Sequence, residues 1–294
     1  FNPDLVHFPH FNVPIFYTGK FVVTIHDLIH QHHAMKRASS LNPFAFKIKQ
    51  IGYRKVFKNA VLKSQKILVP SKSVKNFLTD EWHIKKEKII VTLEAVDEKI
   101  LSLNSKVKTK LILEKLNIKK PYIFYVGNAH PHKNVEGLIK AFLELRNRYQ
   151  YLTLVLAGYD HYFWEKIKKE NQHQDIKYVG NINDEELVVL YKNAQVFVMP
   201  SLEEGFGLPL LEAMACSCPV VSSNAGSLKE VGGNAALYFN PGSPDDLIDK
   251  TSQVLDSLKL RKDLIKKGLK RKSKFSWEKL GKLTLEVYEN SASS

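Results

Sequence analysis

The chain has only two cysteines in 294 residues, Cys216 and Cys218, too close in sequence for an ordinary disulfide staple. A disulfide-framed secreted fold is excluded, and the pair reads as small buried side chains of a protein from a reducing, cytoplasmic compartment. No apolar run approaches the roughly 18 residues that a membrane span needs. The opening "FNPDLVHFPH" lacks the basic start and apolar block of a signal peptide. There is no internal repeat and no low-complexity tract. With 44% hydrophobic and 25% charged residues, the disordered and fibrous classes also drop out.

What the chain does have is positive charge, +14 overall and unevenly spread. Residues 1–120 hold 22 basic against 9 acidic side chains, residues 121–258 hold 11 against 17, and residues 259–294 hold 11 against 4. A basic first part and tail around an acidic middle point to two lobes with different partners. Two readings of the basic parts stand: a lysine-rich solvated surface, or a face that meets anionic lipid or a phosphorylated acceptor. The lysines are not interleaved with stacking aromatics in a nucleic-acid-binding module, so no nucleic-acid partner is expected.

At 294 residues the chain is long for one core and comfortable for two domains. "KFVVTIHD", "KILVPS" and "KIIVTL" read as buried strands. Between the first two runs a long amphipathic stretch, and "SKSVKNFLTDEW" opens on Ser71 as a helix N-cap. Residues 99–120 are lysine-rich and read as a linker with a short helix. A second alternating series follows, with strands at "YIFYVG", "LTLVLAG", "IKYVG", "VFVMPS" and "PVVSS" separated by helices. Strands alternating with helices predict parallel sheets covered on both faces. The expected architecture is α/β with two Rossmann-like, doubly wound domains facing a cleft. Their spans are 1–98 (partial) and 121–275, and residues 276–294 form a helix crossing back to the first domain.

Ligands in such folds bind at the turns that follow parallel strands. In "YVGNAHPHKN" a glycine, Gly127, lets a ligand approach the main chain, and Lys133 beside a helix start suits a phosphate. In "PSLEEGFGLPLLEA" the glycines Gly205 and Gly207 permit unusual backbone angles, and Pro209 sits at a favoured helix-start position. Glu204 is expected on the loop lip and Glu212 about one turn into the helix, both toward one pocket. Helix-start amides favour an anion, whereas carboxylates prefer hydroxyls. A ligand with a diphosphate and sugar hydroxyls satisfies both, and a nucleotide sugar is such a ligand.

"EEGFGLPLLEA" resembles the E-x7-E element of the retaining glycosyltransferases of family 4, the group 1 enzymes with the two-lobed GT-B fold. "YVGNAHPHKNVEGLIKAF", "VGNINDEELVVLYKNAQVFVMPS" and "VVSSNAGSLKEVGGNAALYFNP" are similar to that family in order and spacing. The resemblance implies that Glu212 holds the donor's ribose hydroxyls and Glu204 a hydroxyl of the transferred sugar. Lys133 would neutralise the diphosphate with the amides around Gly205, Phe206, Gly207 and Leu208, and Gly180, Asn181 and Ile182 would border the nucleobase. His26, in "VTIHDLIH", would lie beside the transferred sugar, making His26, Lys133 and Glu204 the expected catalytic residues. The chain departs from many relatives by carrying Asn128 where an arginine follows the first glycine, which leaves more of the clamp to Lys133.

The implied activity is retaining transfer of a hexose to a hydroxyl of a glycan or polyprenyl-linked acceptor in surface polysaccharide biosynthesis. The style of the first lobe resembles mannosyltransferases, so GDP-mannose is the expected donor, with the basic first lobe resting peripherally on an anionic membrane. A phosphorylase or sugar-nucleotide epimerase of the same fold is the alternative. An oxidoreductase is disfavoured because the third glycine of its fingerprint is missing. No cofactor is expected. His30, His32 and His33 sit near zinc spacing, yet no third ligand has the expected context. Asp-x-Asp, with which another transferase class holds a divalent ion, does not occur, so no metal is expected. The first lobe is short for a doubly wound domain, and the resemblance implies opening strands and an acceptor loop ahead of Phe1.

Overall fold

A computed structural model describes residues 3–28, 43–102, 109–159 and 162–293. The cluster His30, His32 and His33 lies outside the described residues. The chain divides into two compact units, Phe1–Glu94 with Ser276–Ser294, and Ala95–Phe275.

The first unit is built on a parallel sheet of β1 (Val6–Phe8), β2 (Phe21–Thr24), β3 (Ile67–Val69) and β4 (Ile89–Val91), in that order. Both faces of β2 are apolar, which marks a strand covered on two sides. Phe21, Val23 and Ile25 point into a core with Phe57, Val61 and Leu78. Val22 and Leu68, on the opposite face, meet Val287 of the helix Trp277–Ala292. The helix Lys72–Asp80 starts as the sequence predicts, with the Ser71 hydroxyl accepting from the Val74 amide at 3.2 Å.

The second unit holds a six-stranded parallel sheet of β5 (Tyr122–Val126), β6 (Thr153–Ala157), β7 (Ile176–Gly180), β8 (Val196–Met199), β9 (Val220–Ser223) and β10 (Ala236–Phe239). The spatial order is β10-β9-β8-β5-β6-β7. The chain steps outward from β5 to β7, returns to lay β8 against the other side of β5, and steps outward again. The β5–β8 pair is therefore the topological switch point, where open α/β sheets leave a crevice at the strands' C-terminal ends. Tyr122, Phe124, Phe142, Trp164, Tyr191 and Phe197 are almost wholly buried around this sheet. Each such side chain contributes roughly 1.5–3 kcal/mol of transfer free energy.

All eight sequence-predicted strands are present, most of them shorter. The pattern missed β1 and β10, three- and four-residue runs too brief to show a period. It also missed the helix Leu258–Lys272, which buries only Leu264 and Gly268 and so shows little apolar stripe. Cys216 and Cys218 are free thiols in the interior of the second unit. Burial pushes the Cys216 thiol up to about 12 and raises that of Cys218 as well. Neither thiol is expected to react with a thiol-specific reagent at neutral pH until the protein is unfolded. Native-state modification at the rate of a free thiol would contradict this burial.

Candidate functional site

The turns leaving β5 and β8 are joined by hydrogen bonds. The hydroxyl of buried Tyr125 donates to the Asn128 carbonyl at 2.7 Å, folding the chain back after Gly127. The Asn128 side-chain oxygen accepts from the His130 amide at 3.2 Å. A 3-10 turn, Pro131–Lys133, then leads into Asn134, whose left-handed backbone (φ 54°) opens the helix Val135–Arg148. Across the switch point the Leu202 amide donates to the His132 carbonyl at 2.7 Å. The Asn134 side-chain amide donates to the Pro200 carbonyl at 3.2 Å.

This splice brings Lys133 and Glu204 together, 71 residues apart in sequence. The Lys133 Nζ donates to Glu204 Oε1 at 2.6 Å, and the Ser201 hydroxyl donates to the same oxygen at 2.7 Å. The side chains are 16% and 8% exposed. The expectation that Glu204 stands on the loop lip is therefore corrected. Its carboxylate turns under the loop because a cation and a hydroxyl satisfy it there, and an unpaired buried carboxylate would be costly.

The loop shape depends on its neighbours after β9. Gly226 has φ +55°, and a Cβ there would lie 2.5 Å from the Glu204 carbonyl oxygen and 2.8 Å from its nitrogen. The Ser227 amide donates to the same carbonyl at 3.2 Å. The Ser227 hydroxyl sits between the carbonyls of Glu204 and Phe206, at 3.1 and 2.8 Å. Gly207, also left-handed (φ 101°), is the N-cap of the helix Leu208–Ala215, with Pro209 in the first turn and no side chain capping it. Gly207 itself brings no side chain to cap this helix start, whose amides carry partial positive charge.

Glu212, on that helix, has a separate partner. Its Oε2 accepts from the buried Tyr191 hydroxyl at 3.0 Å, and the Pro209 carbonyl lies 3.2 Å from the same hydroxyl. Burial raises the Glu212 carboxyl above the usual range; the Tyr191 hydrogen bond opposes this, and the charges of Asp184 and Asp97 add to it. A carboxylate held this way accepts hydrogen bonds readily. Asn181 and Ile182 follow β7, two strands from β5 in the sheet order, and lead to the capping box of Asn183 and Glu186. Glu186 in turn pairs with Lys115 at 2.7 Å. The structure thus gathers Gly127, Asn128, Lys133 and Glu204 through Leu208 at the switch point, and places Asn181 and Ile182 on an outer turn at the same end of the sheet.

In the first unit, His26 follows β2 and is held from both sides. Its Nδ1 lies 3.3 Å from Glu94 Oε1 and its Nε2 lies 3.0 Å from the Pro9 carbonyl oxygen. Both partners are acceptors, so the ring is satisfied when both nitrogens carry protons. The Glu94 hydrogen bond raises the His26 pKa above the ordinary value of 6.5, with burial working against it. Sequence reasoning missed Glu94 and Pro9; their positions just past β4 and β1 were the available signal. The stability linked to His26 is fully present below the unfolded pKa near 6.5 and is lost as pH rises through the higher folded pKa. An NMR titration should place the His26 midpoint above 6.5, and Glu94→Gln should bring it down. An unshifted midpoint in both forms would remove Glu94 as the cause.

Residues 109–271 match the family model described as "Glycosyl transferases group 1". The chain belongs to this family. As a group 1 glycosyltransferase family member it is similar to the O-antigen chain mannosyltransferase B of Escherichia coli, 39% identical over 176 residues, or 57% of this chain and 45% of that protein. The chain thus spans less than half the length of that relative. Among solved structures, the sucrose-phosphate synthase of Thermosynechococcus elongatus superposes with a TM-score of 0.77 at 21% identity, over 98% of this chain and 73% of that one. HepE of Anabaena, in complex with UDP and glucose, gives 0.74 at 16% identity, over 92% and 72%. The fold of this group 1 family member is the GT-B type, with two Rossmann-like parallel-sheet domains.

Proposed function

We propose that the protein transfers a hexose, mannose by preference, from a nucleoside-diphosphate sugar to a hydroxyl of a glycan or lipid-linked acceptor in surface polysaccharide biosynthesis. The anomeric configuration is kept and no metal takes part. The observation that carries this reading is the junction at the switch point, where Lys133 and Glu204 meet beside an uncapped helix start. Mannosyltransferase relatives favour mannose. The UDP and glucose bound by HepE favour a nucleoside-diphosphate donor.

The costly event is breaking the bond between the anomeric carbon and the phosphate oxygen, whose electrons leave with the diphosphate. The donor's diphosphate takes Lys133 from its pairing with Glu204 and lies against the amides between Gly205 and Leu208. Cation and helix dipole together stabilise the growing charge. Glu204, released, accepts from a hydroxyl of the sugar, and Glu212 accepts from the ribose. The acceptor oxygen bonds to the anomeric carbon from the face the phosphate leaves, and its proton passes to the departing phosphate oxygen. No carboxylate is assigned as a nucleophile on this route. His26 lies in the first unit with both ring nitrogens already facing acceptors, Glu94 and the Pro9 carbonyl, so no step of the transfer is assigned to it.

A thermal-shift panel of GDP, UDP, ADP and dTDP with their sugars tests the reading. Stabilisation by one nucleotide series, strongest for GDP and lost in Glu212→Ala, is expected; a ligand at 100 times its Kd adds about 2.7 kcal/mol. Stabilisation by none contradicts it.

A further inference from the structure

The second unit carries another concentration of positive charge that the candidate site does not use. The helix Leu258–Lys272, "LKLRKDLIKKGLKRK", packs inward through Leu264 and Gly268. Lys266, Lys267, Lys270, Arg271 and Lys274, with Asp263 and Asn234, line a groove of about 400 Å³. Five cations against one carboxylate give this lining a charge of +4.

Three features separate the groove from an ordinary solvated lysine face. First, the groove gathers several lysines around a single acid, unlike the one-to-one pairs Lys110–Glu114, Lys166–Glu170 and Lys282–Glu278 on other helices. Here only Lys267 is balanced, by Asp263 at 2.6 Å. Lys266, Lys270 and Lys274, spaced by four, pair with no acid among the described residues. Like charges at that spacing weaken a helix, a cost that a bound anion would offset.

Second, Arg271 is fixed in place. Its Nε donates to the Val231 carbonyl at 2.8 Å and its Nη2 to the Glu230 carbonyl at 2.5 Å. The guanidinium lies over the Phe275 ring at 5.2 Å. It also lies against the backbone of Gly233, where a Cβ would come within 3.2 Å of Nε. A guanidinium held this way keeps its remaining N–H donors pre-aimed. Third, Asn234 precedes β10 and so lies at the opposite end of that strand from the turns of the candidate site.

We propose that this groove is a second anion site that binds a phosphate-bearing ligand. A phosphate monoester or diphosphate carries about two negative charges and several acceptor oxygens, which suits a row of lysines beside a fixed guanidinium better than a single carboxylate does. A lipid headgroup and a soluble phosphorylated compound share this chemistry.

Two arms on the full chain test it. In the first, inorganic pyrophosphate is titrated into labelled protein while the amide signals of Gly233 and Asn234 are followed. Saturable shifts are expected there, distinct from any at Gly205 and Gly207, which report the candidate donor site. In the second, cosedimentation compares vesicles of phosphatidylcholine alone with vesicles containing phosphatidic acid, whose headgroup is a phosphate monoester. The variant Lys266→Gln/Lys270→Gln/Lys274→Gln should bind at least tenfold more weakly in whichever arm is positive. The same three positions changed to arginine should retain binding, which separates loss of charge from loss of fold. Arg271 is left intact because its removal would free two carbonyls. Pyrophosphate shifts without vesicle binding assign a soluble phosphate; vesicle binding lost in the glutamine variant assigns a headgroup. No binding in either arm, or equal binding by the glutamine variant, overturns the site.

Discussion

Lys133→Ala is expected to lower the stability of the second unit by roughly 2–3 kcal/mol and to slow sugar transfer by at least about a hundredfold. Removing one partner of a buried ion pair typically costs about 3–5 kcal/mol, because the remaining charge stays buried without compensation. A value at or just below that range applies here because Lys133 is 16% exposed and the Ser201 hydroxyl still reaches the Glu204 carboxylate. Adding Glu204→Gln removes the stranded charge, so the double variant Lys133→Ala/Glu204→Gln should recover at least half of the loss. Urea unfolding of the four members of this cycle measures the coupling. The transfer rate is separate: losing one group that stabilises developing charge costs about 10²–10³ in rate, and the double variant should not recover it. Recovery of both together would make Lys133 structural only.

Gly226→Val should cost the second unit roughly 3–4 kcal/mol. The left-handed backbone at φ +55° is strained for a β-branched residue, and the new Cβ would press on the Glu204 backbone at 2.5 and 2.8 Å. Strain of this kind costs about 1–3 kcal/mol and overpacking about as much again. Backbone atoms are the obstacle, so no side chain can rotate away. The displaced segment would lose the Ser227 hydrogen bonds that shape the loop from Glu204 to Gly207, so nucleotide binding should fall with stability. Gly281→Ala serves as the contrast. That glycine lies within Trp277–Ala292 with open space around its Cβ, and alanine should stabilise the first unit by about 0.5–1 kcal/mol. Circular dichroism across a urea series reads both. A neutral Gly226→Val would mean that the loop does not need the close approach.

The strands were legible because parallel strands covered on both faces are short runs of β-branched and aromatic residues, as in "YIFYV" and "VFVM". Lys133, Glu204 and Glu212 stood out for a related reason: each flanks a turn where such a run stops beside glycines. What the sequence could not supply was adjacency. That Lys133 meets Glu204, and that Glu212 meets Tyr191, depends on β8 returning to lie beside β5. Strand order leaves no trace in periodicity. The same limit hid Glu94 and Pro9, which reach His26 only because β1 and β4 belong to its sheet. The basic helix Leu258–Lys272 escaped detection because its lysines interrupt nearly every apolar position.

A crystal structure of the chain with a nucleoside diphosphate tests the central claim most directly. The diphosphate oxygens should lie within hydrogen-bonding distance of Lys133 Nζ and of amides between Gly205 and Leu208, with the ribose hydroxyls on Glu212 and Lys133 drawn off Glu204. A nucleotide seated elsewhere, or a Lys133–Glu204 pair still closed at 2.6 Å beneath a bound diphosphate, would contradict it.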